Sequence, residues 1–220
     1  SSPSRQTDFN YLSCSDSQGT HRMAYLQWGD SNNSQVLICV HGLTRNSRDF
    51  DPLAEVLKRD FRVICPDIVG RGESSWLTNS QEYELPLYVL DILTLIEHLS
   101  LEKVDWLGTS MGGLIGMLIA ARPNSPIKRL ILNDVGAFIP QEALQRIKEV
   151  LSQPERNFQT YEEVETYVRK ACRTWGNLTA ENWQHLTKNA VKPNPQGGYC
   201  LHYDPQIVDG YTGESFVQII

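Results

Sequence analysis

The sequence predicts an α/β fold, with a mostly parallel sheet covered by helices on both faces, and three observations carry that prediction. Four short runs, residues 35–40, 61–68, 104–107 and 129–133, are rich in apolar and β-branched residues, as strands buried on both faces are. Helical patterns at 52–58, 85–99 and 111–122 fall between them, and strand, helix, strand in this order calls for right-handed crossovers and parallel pairing. One strand meets its helix at Gly108-Thr109-Ser110-Met111-Gly112, a G-x-S-x-G turn.

Size and composition set the limits. With 220 residues there is room for one core plus at most one inserted subdomain. The 40% hydrophobic and 21% charged residues are those of a soluble globular chain. Twenty basic against 26 acidic residues give a formal charge of -6, and the basic residues are scattered, which argues against a nucleic-acid partner. The longest apolar run, 114–121, is broken by Gly116 and closed by Arg122, far short of the roughly 20 residues a membrane span needs. No apolar export segment precedes Tyr11. The five cysteines read as reduced core thiols, so a cytoplasmic location is expected. No C-x2-C or H-x3-H spacing occurs, so neither a metal nor a cofactor is expected.

Element by element, residues 8–13 and 21–29 flank a turn-rich stretch and predict an antiparallel hairpin at a sheet edge. The buried strand 35–40 follows, then helix 52–58, strand 61–68, helix 85–99, strand 104–107, helix 111–122 ended by Pro123, and strand 129–133. After Asp134 the pattern changes to three amphipathic helices, 141–151, 161–175 and 180–188, with no strand between them. A Pro/Asn/Gly-rich loop at 191–198 closes this run. The expected division is a core over 1–136, a helical cap over 137–205 and the start of a return to the core over 206–220.

The G-x-S-x-G turn carries the chemistry. Glycines two residues before and after Ser110 remove the Cβ atoms that would clash in a sharp strand-to-helix turn, which lifts the serine hydroxyl out at the sheet edge. The helix beginning at Met111 aims its unpaired N–H groups and positive dipole end at the same place. Met111 N–H is therefore one expected oxyanion donor, and Leu43 N–H, in the His41-Gly42-Leu43-Thr44 loop after strand 35–40, is the second. A nucleotide site fits less well, because Gly70-Arg71-Gly72 lacks a third glycine and no G-K-[ST] follows any glycine loop.

The stretch 36–137 resembles the core of the α/β-hydrolase superfamily, among its cap-bearing serine esterases and carbon–carbon bond hydrolases. His41-Gly42, the run from Pro66-Asp67 through Gly70-Arg71-Gly72-Glu73-Ser74, and the Ser110 turn match in the family's order. The phrase Leu201-His202-Tyr203-Asp204-Pro205 is similar to the cap's exit in that group. The resemblance implies that His41 supports the oxyanion loop and that Asp67 is structural. It further implies a triad in the order serine, acid, histidine, with the histidine near the end of a complete chain. Asp134, just after strand 129–133, is the candidate acid, because some members of the family place it there. His21 and His98 read as structural, and His185 and His202 on the cap are the remaining candidates for the base. The expectation is a polypeptide that continues past Ile220, supplying further strands and the base; were it to end there, strand 129–133 would leave an unpaired sheet edge.

The expected activity is a serine hydrolase acting through an acyl-enzyme on a small ester or related carbonyl compound. Trp175, Trp183, Tyr161 and Tyr167 on the cap point to an apolar pocket and a small-molecule substrate with an apolar acyl or aromatic group. The alternatives are a non-catalytic binding or scaffold version of the fold, and a cofactor-free perhydrolase or haloperoxidase-like enzyme. The sequence leaves the oligomeric state open.

Overall fold

A computed structural model describes residues 8–136, 138–152 and 156–210. Six strands form the main sheet: β1 (Asn10–Asp16), β2 (Gly19–Trp28), β3 (Val36–Val40), β4 (Arg62–Pro66), β5 (Val104–Thr109) and β6 (Ile127–Asn133). Their order across the sheet is β1-β2-β4-β3-β5-β6. The first two make the expected hairpin, with Cys14 opposite His21, and β2 joins β4 antiparallel. The other neighbours are parallel. This is the predicted α/β architecture.

Helices α1 (Asp51–Leu57), α2 (Leu85–His98) and α3 (Met111–Ala120) supply the crossovers. All five residues of β3 are buried, and its alternating side chains separate the core into two layers. Ile38 and Val40 pack with Trp106, Ile92, Ile115 and Ile119 on one face. Leu37 and Cys39 pack with Phe50, Ala54 and Val63 on the other. A strand sandwiched in this way has no polar face, which is why its sequence runs apolar without alternation. At the far side, β6 is the outermost strand among the described residues, and Ile131 is 53% exposed.

Three more helices follow: α4 (Gln141–Leu151), α5 (Tyr161–Ala171) and α6 (Ala180–Ala190). The expectation of no strand in this region is corrected. A two-residue strand, β7 (Asn157–Phe158), lies between α4 and α5. It pairs with β9 (Tyr199–Leu201), which in turn pairs with β8 (Val191–Pro193). The predicted loop 191–198 is thus a hairpin closed by a turn in which Asn194 N–H donates to Gly198 O. Segments of two or three residues carry no readable alternation, and β7 finds its partner some forty residues away. Helix α5 also stops earlier than expected: a tight turn, Trp175 N–H to Cys172 O, replaces its last four residues. Of the expected return to the core over 206–220, residues 211–220 lie outside the described residues.

Candidate active site

The carboxyl ends of β3, β5 and β6 converge on one cavity of about 670 Å³. Its base holds Ser110 with Gly42, Leu43, Met111 and Asp134, and α4 and α5 contribute to its walls. Ser110 has φ 50° and ψ -114°, a left-handed conformation that non-glycine residues rarely hold. The turn is kept by Ser110 N–H, which donates to Asn133 O at 2.9 Å, and by Gly113 and Leu114 N–H, which donate to Ser110 O.

Two glycines make this turn sterically possible. A Cβ on Gly108 would strike the backbone of Gly112, and one on Gly112 would strike the Val40 carbonyl. In both cases the obstacle is main chain, so no rotamer change relieves it. Gly42 approaches from the neighbouring strand, and a Cβ there would stand 3.7 Å from Ser110 Cβ. The loop after β3 is therefore packed directly against the serine.

His41 is fully buried and fixes that loop. Its Nδ1–H donates to Gly42 O at 2.7 Å, and its Nε2 accepts from Ile68 N–H at 3.0 Å. A carbonyl can only accept and an amide N–H can only donate, so these partners set the neutral tautomer. Burial pushes the imidazole down to about 4 against the hydrogen bond to Gly42, and the nearby Arg71 charge adds to the depression. With both nitrogens occupied, His41 is a support and has no lone pair to offer Ser110. The bond to Gly42 O holds the peptide unit whose N–H belongs to Leu43. Among the described residues neither Leu43 N–H nor Met111 N–H has a hydrogen-bond acceptor.

Asp134 lines the same cavity, and its φ of 56° is a second left-handed non-glycine conformation at the strand ends. Its carboxylate has no hydrogen-bond or ion-pair partner among the described residues. Among the described residues no histidine lines the cavity. His185 Nε2 lies 2.8 Å from Arg48 O and 3.4 Å from Asp51, while His202 Nε2 lies 3.5 Å from Glu73. The four cap aromatics divide. Tyr167 and Trp175 face the cavity, whereas Tyr161 stands edge-on to Tyr199 and Trp183 lies under Arg169.

Asp67, read as structural, is fully buried and accepts from Ser47 and Glu73 N–H. Burial raises its carboxyl to about 6 despite those bonds. It ties the loop after β4 to the turn before α1 and does not line the cavity with Ser110.

One grouping was invisible in the spacing of the sequence. Cys14, His21 and Asp91, drawn from β1, β2 and α2, place potential metal-ligand atoms within 4.8 Å of one another. His21 is, however, held at both nitrogens, Nδ1 by Asp16 at 2.8 Å and Nε2 by Asp91 at 2.6 Å. Burial, then the Asp91 charge, push the Cys14 thiol up to about 12. A protonated thiol and a doubly hydrogen-bonded imidazole make this a buried polar staple between hairpin and helix.

A strand-turn-helix serine beside a glycine loop, at the carboxyl edge of a sheet ordered in this way, defines an α/β hydrolase. The family model of the alpha/beta hydrolase fold matches residues 35–186, and the chain belongs to that family. The chain is 48% identical over 201 residues to a 3-hydroxybutyrate-oligomer hydrolase from Cupriavidus necator, covering 90% of this chain and 68% of that protein. A human serine hydrolase-like protein is 31% identical over 112 residues, 51% of this chain and 55% of that protein. Among solved structures, a putative hydrolase from Rickettsia typhi superposes with a TM-score of 0.85 at 31% identity, covering 91% of this chain and 73% of that one. Among the described residues no helix is long and apolar enough to cross a membrane.

Proposed function

We propose that this chain carries the nucleophile and oxyanion site of a serine esterase. Its cavity suits a short ester with an apolar acyl group, and an oligomer of 3-hydroxybutyrate is the first substrate to test. The observation that carries the reading is Ser110, held in a strained conformation at the mouth of α3 in a cavity of about 670 Å³. The identity to the Cupriavidus hydrolase supports the substrate class. So do the apolar walls, to which Leu114, Val135, Ile147 and Trp175 contribute.

In this reading Ser110 Oγ attacks the ester carbonyl carbon, and the C=O electron pair moves onto the oxygen, to which Leu43 and Met111 N–H donate hydrogen bonds. The serine proton passes to a histidine; the intermediate then collapses, the oxyanion pair re-forming C=O as the C–O bond to the alcohol breaks and the histidine returns the proton to the leaving oxygen. Water then repeats the sequence on the acyl-Ser110 ester and releases the acid. Among the described residues no histidine lines the cavity; in this reading the base is a histidine of the complete protein, with the unpartnered Asp134 carboxylate as the acid that orients it. Residues 137–205 act as the cap that shapes the acyl pocket.

In the complete protein Ser110→Ala lowers hydrolysis of p-nitrophenyl butyrate and of 3-hydroxybutyrate dimer by a factor on the order of 10³ or more. Retained turnover sinks the assignment. The rival, a binding protein on the same scaffold, is favoured only by the missing cavity histidine. A fluorophosphonate probe separates the two, since an idle serine forms no adduct.

A further inference from the structure

Arg71 is wholly buried, one of the largest side chains of the molecule with no exposure at all. Its partners are unusual for a buried cation. Nε donates to Leu43 O at 2.8 Å, Nη1 donates to Val69 O and to Tyr88 Oη, each at 2.9 Å, and Nη2 lies 3.7 Å from Met111 Sδ. The guanidinium also sits 5.0 Å from the Tyr88 ring centroid and 6.0 Å from that of Tyr83. Every one of these groups is neutral. Among the described residues no carboxylate comes within ion-pair distance of it.

Burying a cation without a counter-ion is costly, and a well-packed apolar side chain of similar volume would hold the same space at less expense. Two of the residues the fork touches, Leu43 at its carbonyl and Met111 at its sulfur, line the cavity, and their N–H groups form the proposed oxyanion site. A positive charge there, in surroundings that screen weakly, interacts little with a neutral ester carbonyl and strongly with the oxygen once it carries negative charge.

We propose that Arg71 is the positioning residue of the oxyanion site: its fork fixes Leu43 and Met111, and its charge, which no carboxylate among the described residues pairs directly, stabilises the tetrahedral intermediate. The proposal rests on the reading of Ser110 as nucleophile. It separates transition state from ground state, so it acts on kcat and leaves KM nearly unchanged.

The experiment compares Arg71→Met and Arg71→Lys with wild type and Ser110→Ala in the complete protein. Folding is checked by circular dichroism, kcat and KM are measured with p-nitrophenyl butyrate, and inhibition is measured with an alkylboronic acid, which becomes an anionic tetrahedral adduct on serine. Losing one direct oxyanion donor costs about 10²–10³ in kcat. Arg71→Met, which acts through the donors, is expected to lose about 10–100-fold in kcat with KM within threefold, and boronate affinity falls in parallel. A folded Arg71→Met with kcat within twofold of wild type overturns the proposal, as does a loss confined to KM.

Should Arg71→Met not fold, Arg71→Lys decides. A single ammonium cannot span Leu43, Val69 and Tyr88 together, so at least a fivefold loss of kcat at constant KM is expected. An unchanged kcat overturns the proposal, and failure of both variants to fold overturns it in favour of a purely structural role. Activity retained by Ser110→Ala is a different outcome, which removes the nucleophile assignment itself.

Discussion

His41 shows how one residue links the stability of the site to pH. Its imidazole, pushed down to about 4 from an ordinary 6.5, stays neutral in the folded state at pH values where the unfolded chain is already protonated. Its contribution is therefore complete above pH 6.5 and is lost as the pH falls through about 4. The size of the shift sets an upper limit of about 3 kcal/mol. Asp67, raised to about 6 chiefly by burial, works in the opposite direction over much of the same range. The His41 effect must therefore be read as a difference between proteins that both contain Asp67. The stability advantage of wild type over His41→Gln, measured by urea unfolding, narrows by about 2 kcal/mol between pH 7.5 and 4.5. A constant gap would mean that His41 titrates normally in the fold.

Among the described helices, α6 carries a reciprocal capping box at its N-terminus. Thr179 Oγ1 accepts from Asn182 N–H at 3.1 Å, and Asn182 Oδ1 accepts from Thr179 N–H at 3.2 Å, a reciprocal capping box. The helix in turn docks on the turn that follows β3: Asn46 Nδ2 donates to Asn189 O at 2.8 Å, and His185 reaches Arg48 O. Thr179→Ala removes the cap and costs about 1 kcal/mol, seen as a fall of about 2–4 °C in Tm. Legibility at this scale follows the length of the local signal. Helix α4 has the bounds its amphipathic pattern and Pro140 predict, 141–151. Strands β7, β8 and β9 do not announce themselves, because each is defined by its partners.

Across the whole molecule, the segment after β9 is held to the loop before α2 by Tyr83. Its hydroxyl donates to Asp204 Oδ2 at 2.6 Å and accepts from Leu77 N–H at 2.8 Å, and all three residues are buried. Asp204 N–H donates to Gly70 O and Gly72 N–H to His202 O, so the glycine loop that carries Arg71 is clamped from the same side. Tyr83→Phe leaves a buried carboxylate oxygen and an amide short of a partner, and is expected to lower unfolding stability by about 2–3 kcal/mol in urea titrations. A change under 0.5 kcal/mol would show that this clamp contributes little.

Short-range physics dictates the features that can be read from the order of residues alone. Apolar runs unrelieved by alternation mark strands buried on both faces, as β3 is, and glycines two residues either side of Ser110 mark a turn only they can make. Those signals lie within a few residues of one another and need no partner to be read. The cavity, the tautomer of His41, the neutral hydrogen-bond partners of Arg71 and the Cys14–His21–Asp91 staple depend on how the elements pack. Each joins residues from different elements, and the distance between two side chains on different elements depends on the packing of everything between them, which no spacing along the chain records.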